Sequence, residues 1–479
     1  MMVIMSDNQK KTQLRRSLMA ALTMVCALLL TSCSNEDDNP VTEPIAYGQV
    51  FSYTYEGQTL YYLVGKSGNA AVVPPLYPDY DAENNEDWTG YDKPVGSVVI
   101  PDNVPFNGNM CPVTTIGAFA FHKCYDITSV TLPSTVKSLR NSVFLECTKL
   151  SEINLPNSLK SIGKNCFSYS PSLTSITIPE SVTSMGVGLF DNCTGLTECT
   201  ILASIDNLPE WTFSNCSGLT TVKLPEGLTS IDYGAFWECA NLKTVNLPEG
   251  LTLIDDCAFR NCHSLAGITI PSTLTKIGDF AFQYNYNIGP DIVVPEGVTY
   301  IGDCTFGDCY NMKTITLPNT LQYIGPFALA VCTKLNNVVF PDHLTQLNEA
   351  LFQDCTSLTT CHLPAQLKVI DSNMLYNTAI TTIEIPEQVT SIGRFAFGSC
   401  LSMKELTLPA SVVELADSVF GDDTKLDKLT LDCTVPPTVM ADTFDDDDYT
   451  TTLIVPQGTL EAYRQHDIWG RFVTIKEKE

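Results

Sequence analysis

The stretch Leu219–Cys239 reads LTTVKLPEGLTSIDYGAFWEC, and from Leu242 the chain reads LKTVNLPEGLTLIDDCAFRNC. This frame returns about every twenty-three residues, and a proline marks nearly every copy. The marker prolines are Pro133, Pro156, Pro179, Pro225, Pro248, Pro271, Pro295, Pro318, Pro341, Pro364, Pro386 and Pro409. A fixed period of this length is typical of a solenoid, in which each coil buries its apolar side against its neighbours. Leu202 keeps the register in the copy that lacks the proline.

The residues of one copy predict how its coil is built. In the segment that ends at Pro225, Val222 and Leu224 alternate with Thr221 and Lys223, as in a strand with one buried face. A proline cannot donate to a strand ladder, so pairing ends there. A glycine often follows the next isoleucine and suits a tight or left-handed turn. An Ala-Phe pair then begins a short helical turn, and we expect its phenylalanine to wedge between coils.

Cysteine is frequent, with nineteen residues in the chain. Most share one position, three residues after the phenylalanine: Cys124, Cys147, Cys193, Cys216, Cys239, Cys262, Cys309, Cys332, Cys355 and Cys400. Side chains that recur once per coil point the same way, whereas a disulfide needs Cβ vectors that face each other. We therefore expect mostly buried thiols that act as small apolar groups. A metal site is the alternative, but zinc sites need clustered Cys and His, and no CxxC pair is present.

The formal net charge is -27. An acidic surface of this size repels nucleic acid and anionic membrane surfaces, so neither is an expected partner. The same charge also serves solubility.

The N-terminus has the composition of an export signal. Lys10, Lys11, Arg15 and Arg16 precede the apolar run Leu18–Leu30, which is too short to span a membrane. The run ends LTSC, which resembles the lipobox of bacterial lipoproteins and implies lipidation of Cys33. The alternative is an ordinary signal peptide that contains Cys33. The following SNEDD resembles the surface-export tag of Bacteroidetes lipoproteins, and it also fits a solvated linker.

The pattern LxxVxLPxxLxxIGxxAFxxC resembles the BspA-like leucine-rich repeats of bacterial surface proteins, over roughly residues 98–431. The resemblance implies a repeat solenoid with a parallel β-sheet on one face, short helical turns opposite, a β-rich N-terminal cap and a mixed C-terminal cap. The expected organisation is a lipoprotein signal peptide at 1–32, an acidic flexible tether at 33–45, an N-terminal β cap at 46–100, repeats at 101–431 and a C-terminal cap at 432–479. An Asn107-Gly108 pair predicts a hairpin, and we expect Trp469 to be buried in the C-terminal cap.

No catalytic constellation is visible in the sequence. The five histidines are scattered, and no metalloprotease, nucleophile-elbow or phosphate-loop motif occurs. Adjacent strand residues such as Cys361 and His362 face opposite ways and cannot act together. The run Asp445–Asp448 could hold Ca2+, but it lacks the spacing of a calcium loop and fits a solvated turn. We expect no enzyme activity, no cofactor and no metal.

The outward strand positions are the remaining candidates for function. They are rich in threonine, which favours strands for structural reasons alone. Val293 and Val339 flank Thr316 and lie next to His362, which places a small apolar spot on a polar face. These four residues are the candidate partner-binding site.

Three functional hypotheses remain open. The resemblance implies a non-catalytic, monomeric lipoprotein, anchored in the outer membrane by lipid and exposed on the cell surface, that binds a host or bacterial surface protein or glycan in adhesion. The second hypothesis is an accessory lipoprotein that captures glycan or nutrient for an outer-membrane uptake system. The third is an enzyme, which no residue pattern supports.

Overall fold

A computed structural model describes residues 48–77, 87–422 and 424–479. The expected signal peptide, Cys33 and the tether lie outside these residues. The described chain forms a parallel β-solenoid of about 16 turns. Each coil contributes to three ladders that run along the molecule: two sheets and a row of tight turns.

The strands that precede the marker prolines form the first ladder, here called the proline sheet. Its strands are β4 (Gly96–Val99), β7 (Ile127–Thr131), β9 (Glu152–Ile153), β11 (Ser175–Ile178), β13 (Glu198–Ile201), β15 (Thr221–Lys223), β17 (Thr244–Val245), β20 (Asp291–Val293), β22 (Thr314–Thr316), β24 (Asn337–Val339), β25 (Thr360–His362), β28 (Glu405–Leu408), β30 (Lys428–Leu431), β31 (Thr452–Val455) and β32 (Thr474–Glu477). Its pairings are parallel and one coil apart, as the repeat predicts, with a register shift between β4 and β7.

A second parallel ladder, the isoleucine sheet, was not predicted. Its two-residue strands are β8 (Ser138–Leu139), β10 (Ser161–Ile162), β12 (Ser184–Met185), β14 (Asn207–Leu208), β16 (Ser230–Ile231), β18 (Leu253–Ile254), β19 (Lys276–Ile277), β21 (Tyr300–Ile301), β23 (Tyr323–Ile324), β26 (Val369–Ile370), β27 (Ser391–Ile392) and β29 (Glu414–Leu415). The residue after these strands is often glycine because the backbone of the preceding coil lies too close for a side chain. Its backbone is not left-handed. A Cβ on Gly278 would lie 2.4 Å from Asp256 Oδ1 and 2.6 Å from the Asp255 carbonyl carbon.

The expected short helical turns are tight turns that bond from coil to coil. The Phe236 and Glu238 amides donate to carbonyls of the next coil, at 2.8 and 2.9 Å, while the Cys239 amide donates back to Phe236 O within its own coil. Gly234 and Glu238 have φ angles of 58° and 60°, and nearly every coil repeats this left-handed pair four residues apart. Two left-handed residues per turn prevent a regular helix.

Phenylalanines of this turn ladder fill the centre of the solenoid. Phe236 is fully buried and stacks on Phe213 at 5.2 Å and on Phe259 at 4.9 Å between ring centroids. Leu329 and Leu375 fill the same place in two coils, and both are buried. The predicted wedge is therefore a continuous column of apolar side chains.

The N-terminal residues close one end of the stack with β1 (Phe51–Tyr55), β2 (Gln58–Val64), β3 (Ala70–Val73), β5 (Asn103–Phe106) and β6 (Asn109–Ile116). β1, β2 and β3 pair antiparallel, and β3 joins β6 in parallel, which leads into the isoleucine sheet. The predicted hairpin is confirmed, because β5 and β6 pair across Asn107 and Gly108, whose φ angles are 50° and 82°.

The C-terminal residues add β30, β31 and β32 to the proline sheet, together with the helix α1 (Leu460–Arg464) and two 3-10 turns, Asp448–Thr450 and Trp469–Arg471. Trp469 is fully buried, as predicted, and its Nε1 donates to Pro437 O at 2.9 Å. Its ring packs on Phe444 at 5.0 Å.

Two coils of the described chain contribute no strand to the proline sheet, and β9 is not paired with β11 either. Residues 266–270 form no strand between β17 and β20, and residues 382–385 form none between β25 and β28. Gly267, without a side chain to pack, weakens the strand in the first of these coils. The turn ladder continues past the second, where the Leu375 amide donates to Ala396 O at 3.0 Å.

Candidate binding face of the proline sheet

The structure brings the four candidate residues into one row of the proline sheet. Val293 pairs with Thr316 across β20 and β22, and Val339 pairs with His362 across β24 and β25. β22 and β24 are neighbours in the same register, so Thr316 and Val339 are adjacent. Because alternate strand residues face the same side, the four side chains share the outward face.

Two of these residues expose apolar surface that the fold does not use. Val293 is 62 % exposed and Val339 is 54 % exposed, whereas Ile292 and Val338, directly before them, are buried. His362 Nε2 lies 3.5 Å from Asp342 Oδ1, and both side chains are largely exposed. The row therefore presents two valines and a threonine, with a polar histidine–aspartate pair at one end.

A second outward row beside the first is held by hydrogen bonds between coils. Thr314 Oγ1 donates to Asp291 Oδ1 at 2.7 Å, and Thr360 Oγ1 donates to Asn337 Oδ1 at 3.0 Å. These side chains satisfy each other's hydrogen bonds, so the threonines of this row have a structural role and need no partner to explain them. The polar row borders the valines and sets them apart as an apolar strip.

Sequence reasoning did not single out a shallow cavity farther along the same sheet. It has a volume of about 240 Å3, and Glu198, Thr200, Thr221, Lys223 and Asn246 are among the residues that line it. Lys223 and Glu198 supply opposite charges on this part of the face. The signal for it in the sequence is Lys223, a cation at an outward position where most coils have threonine, asparagine or valine.

The cysteine ladder lies inside the solenoid and serves the fold. Cys239 Sγ donates to Phe213 O of the preceding coil at 3.1 Å, and Cys147 Sγ donates to Phe121 O at 3.0 Å. The same bond recurs at Cys193, Cys216, Cys262, Cys309 and Cys332. The thiols are mostly buried, as expected, and most thiols of the ladder also donate a hydrogen bond to a buried carbonyl, which was not predicted.

Other residues at the cysteine position show which property matters. Ser170 Oγ donates to Phe144 O at 3.1 Å and Asn285 Nδ2 to Phe259 O at 2.8 Å, and Thr424, one residue beyond this position, donates from Oγ1 to Phe397 O at 2.7 Å. The position therefore favours a hydrogen-bond donor. No disulfide joins the cysteines of the described residues. Burial raises the pKa of the Cys193 thiol to about 12, which keeps the donor proton in place.

The remaining polar candidates have structural partners. His263 Nδ1 lies 2.8 Å from Tyr284 O, and its ring stacks on Tyr286 at 4.5 Å. Among residues 48–77, 87–422 and 424–479, no group of His, Cys, Asp and Glu is arranged to hold a metal ion.

The acidic run in the C-terminal cap is held by cations of the chain. Lys425 Nζ lies 3.0 Å from Asp447 Oδ2, and Arg471 donates to Asp446 Oδ1 at 3.3 Å. Asp448 is only 9 % exposed, and its Oδ2 accepts the Asp445 amide at 2.8 Å. Burial raises the pKa of Asp448 to about 6, since a carboxylate there loses hydration.

Comparisons with known proteins find one matching family model and several similar solved structures. The family model for the BspA type leucine rich repeat region matches residues 114–243, 188–313, 284–404 and 368–459. A leucine-rich repeat protein from Bacteroides ovatus is 23 % identical with a TM-score of 0.49, over 77 % of this chain and 95 % of the other. A leucine rich cell surface protein from Faecalibacterium prausnitzii is 24 % identical with a TM-score of 0.48, over 80 % of this chain and 94 % of the other. No curated protein matches the sequence.

The fold and the coil pattern define a leucine-rich repeat solenoid. Because the family model covers most of the chain, the protein belongs to the BspA-type leucine-rich repeat family. Such repeats are generally non-catalytic scaffolds that mediate protein–protein contacts. In the described part of the chain, no helix is long and apolar enough to cross a membrane.

Proposed function

We propose that this protein is a non-catalytic cell-surface lipoprotein that binds a macromolecular partner, most simply a surface protein of a host or another cell, in adhesion. The observation that carries the proposal is the exposed row of Val293, Thr316, Val339 and His362. Packing accounts for the residues inside the solenoid. The residues that could recognise a partner are therefore those at the outward positions, where the coils differ from one another.

The chemistry of this row favours a protein partner. Two exposed valines beside a threonine offer apolar area bordered by polar side chains, and protein interfaces likewise have an apolar core with a polar rim. A glycan site usually presents aromatic rings to the sugar. Of the four residues, only His362 has an aromatic ring that could stack on a pyranose, and its imidazole lies beside Asp342.

Anchoring follows from the N-terminal residues. Lipidation at Cys33 would attach several acyl chains to one residue, which suffices for stable anchoring in the outer membrane. The tether at 33–45 would then hold the repeats away from the membrane. The repeats would extend from 101 to 431, between the N-terminal cap and the C-terminal cap.

Two experiments on whole cells test display. Labelled palmitate is expected to enter the wild-type chain and not Cys33→Ala, and trypsin applied to intact cells is expected to remove the repeats. The proposal of a surface lipoprotein would be contradicted if Cys33→Ala incorporated as much palmitate as the wild type. It would also be contradicted if trypsin removed the repeats only after the cells were lysed.

A pulldown tests the binding face. The double variant Val293→Glu/Val339→Glu is expected to lose at least tenfold of the partner recovered from host-cell or bacterial extract, because charges replace the apolar strip. Thr177→Glu is the matched control, since Thr177 holds the same outward position several coils away. Equal recovery with the double variant and the wild type, both folded by circular dichroism, would reject the row as the site.

A further inference from the structure

The coil that lacks its marker proline opens a groove on the edge of the proline sheet. Leu202 stands at the proline position, and its amide donates to Ile178 O at 2.9 Å, a bond that proline cannot make. The strand pairing therefore runs one residue further than in neighbouring coils. The Leu202 side chain is left 43 % exposed, whereas most marker prolines are buried.

The groove has a volume of about 390 Å3. Its floor and walls contain Leu202, Ala203, Ile205 and Pro225, and its rim is formed by Glu180, Asp206 and Glu226. It combines an apolar floor with an acidic rim. A smaller cavity shares Ser204, Ile205 and Asp206 with it, so the concave surface extends toward the isoleucine sheet.

The rim carboxylates differ from some of their counterparts in other coils. Glu249 and Glu296, which also follow a marker proline, accept from the next coil: Glu249 Oε2 accepts the Ser272 amide at 3.2 Å, and Glu296 Oε1 accepts the Asn319 amide at 3.1 Å. Within the described residues, the carboxylates of Glu180 and Glu226 make no such bond and no ion pair.

The coil between these two carboxylates has no polar side chain at the corresponding position. Ala203 holds the post-proline position in the coil between Glu180 and Glu226 and carries no polar group. Coils lie at strand spacing, so the two acids start about 10 Å apart with an apolar gap between them. A planar cation placed in the gap would reach both carboxylates, and a long aliphatic stem would cover Leu202 and Pro225.

We propose that this groove binds an arginine side chain presented by a basic segment of a partner protein. Arginine fits because its guanidinium can bond to two carboxylates at once and its methylene stem packs on apolar surface. The net charge of -27 adds long-range attraction for a basic partner. This site lies away from the valine row and does not depend on it.

The test uses fluorescent tetra-arginine peptide as the probe and the neutral tetra-citrulline peptide for comparison, measured by fluorescence anisotropy with the full chain. Tetra-arginine is expected to bind more tightly than tetra-citrulline. The double variant Glu180→Gln/Glu226→Gln is expected to weaken tetra-arginine binding at least tenfold. Leu202→Pro, which restores the marker proline and keeps every charge, is expected to weaken it as well; Leu202→Ser serves instead if that variant does not fold.

Glu296→Gln is the matched control, because Glu296 also follows a marker proline but lies between polar residues, Ser272 and Asn319, at the same position of the two neighbouring coils. It is expected to leave binding within twofold of the wild type. The proposal is overturned if the control loses as much as the double variant, which would indicate general attraction to an acidic chain. It is also overturned if the groove variants bind the peptide as the wild type does.

Discussion

At the scale of single residues, the cysteine position explains a composition that first looks like a disulfide framework. The thiols of the ladder are buried, and most donate to the carbonyl of the phenylalanine, or of the leucine in its place, one coil earlier, as Cys239 does to Phe213 O. Phe213 O also accepts the Cys216 amide at 3.0 Å, so the thiol adds a second hydrogen bond to a buried carbonyl, and a hydrogen bond typically contributes about 0.5–1.5 kcal/mol net. The recurrence of the residue therefore reflects packing and hydrogen bonding together.

Replacing the donor tests this role. Cys239→Val keeps the apolar volume but removes the donor, so we expect a loss of about 0.5–1.5 kcal/mol in the free energy of unfolding. Cys239→Ser keeps a donor, as Ser170 does naturally, and is expected to lose less. Chemical denaturation of both variants gives the comparison. If the serine variant were the less stable one, apolar packing alone would account for the ladder.

A second residue predicts a pH dependence in the C-terminal cap. The pKa of Asp448 is raised in the folded chain to about 6. The unfolded chain therefore releases this proton first as pH rises, and the cap loses stability between about pH 4 and pH 6. Asp448→Asn keeps an acceptor for the Asp445 amide and removes the charge.

The asparagine variant is expected to be more stable than the wild type at pH 7, by at most about 3 kcal/mol, and to show little difference at pH 3.5. Melting temperatures at the two pH values measure this. A variant that is less stable at pH 7 would show that the ionised carboxylate stabilises the cap.

At the scale of elements, the turn ladder is where sequence and structure differ most. The pattern predicted most of the strands before the prolines and the ladder of phenylalanines between coils, because alternation and period are visible in the sequence. It did not predict the isoleucine sheet, since two-residue strands such as Ser230–Ile231 are too short to show alternation. The pattern predicted a helical turn where the structure has a tight turn. Residues of many types, such as Glu238, occupy the left-handed positions of this turn, so the sequence does not identify them.

The left-handed positions predict a stabilising substitution. Val331 has a φ angle of 60°, although a β-branched side chain is disfavoured there. The same position in other coils is held by Asn192, Asn215 and Asn261, which tolerate this conformation. Val331→Asn is expected to raise the free energy of unfolding by about 1 kcal/mol. A lower melting temperature for this variant would mean that the half-buried valine side chain stabilises more than its backbone conformation costs.

At the scale of the whole molecule, the candidate site could be located from the sequence only as a row of outward positions. Register then placed Val293, Thr316, Val339 and His362 together, because every coil has nearly the same length. The groove at Leu202 could not be foreseen, since its shape depends on the path of the backbone after one missing proline. Deviations from the repeat, more than the repeat itself, hold the sites proposed for partners.

The most direct measurement of the central claim is photo-crosslinking on live cells with a photoreactive amino acid at Thr316. The matched probe replaces Glu238, on the turn ladder away from the proline sheet. The proposed function predicts a defined crosslinked partner from the Thr316 probe and none from the Glu238 probe. The same partner from both probes, or a partner from the Glu238 probe alone, would contradict binding through the sheet face.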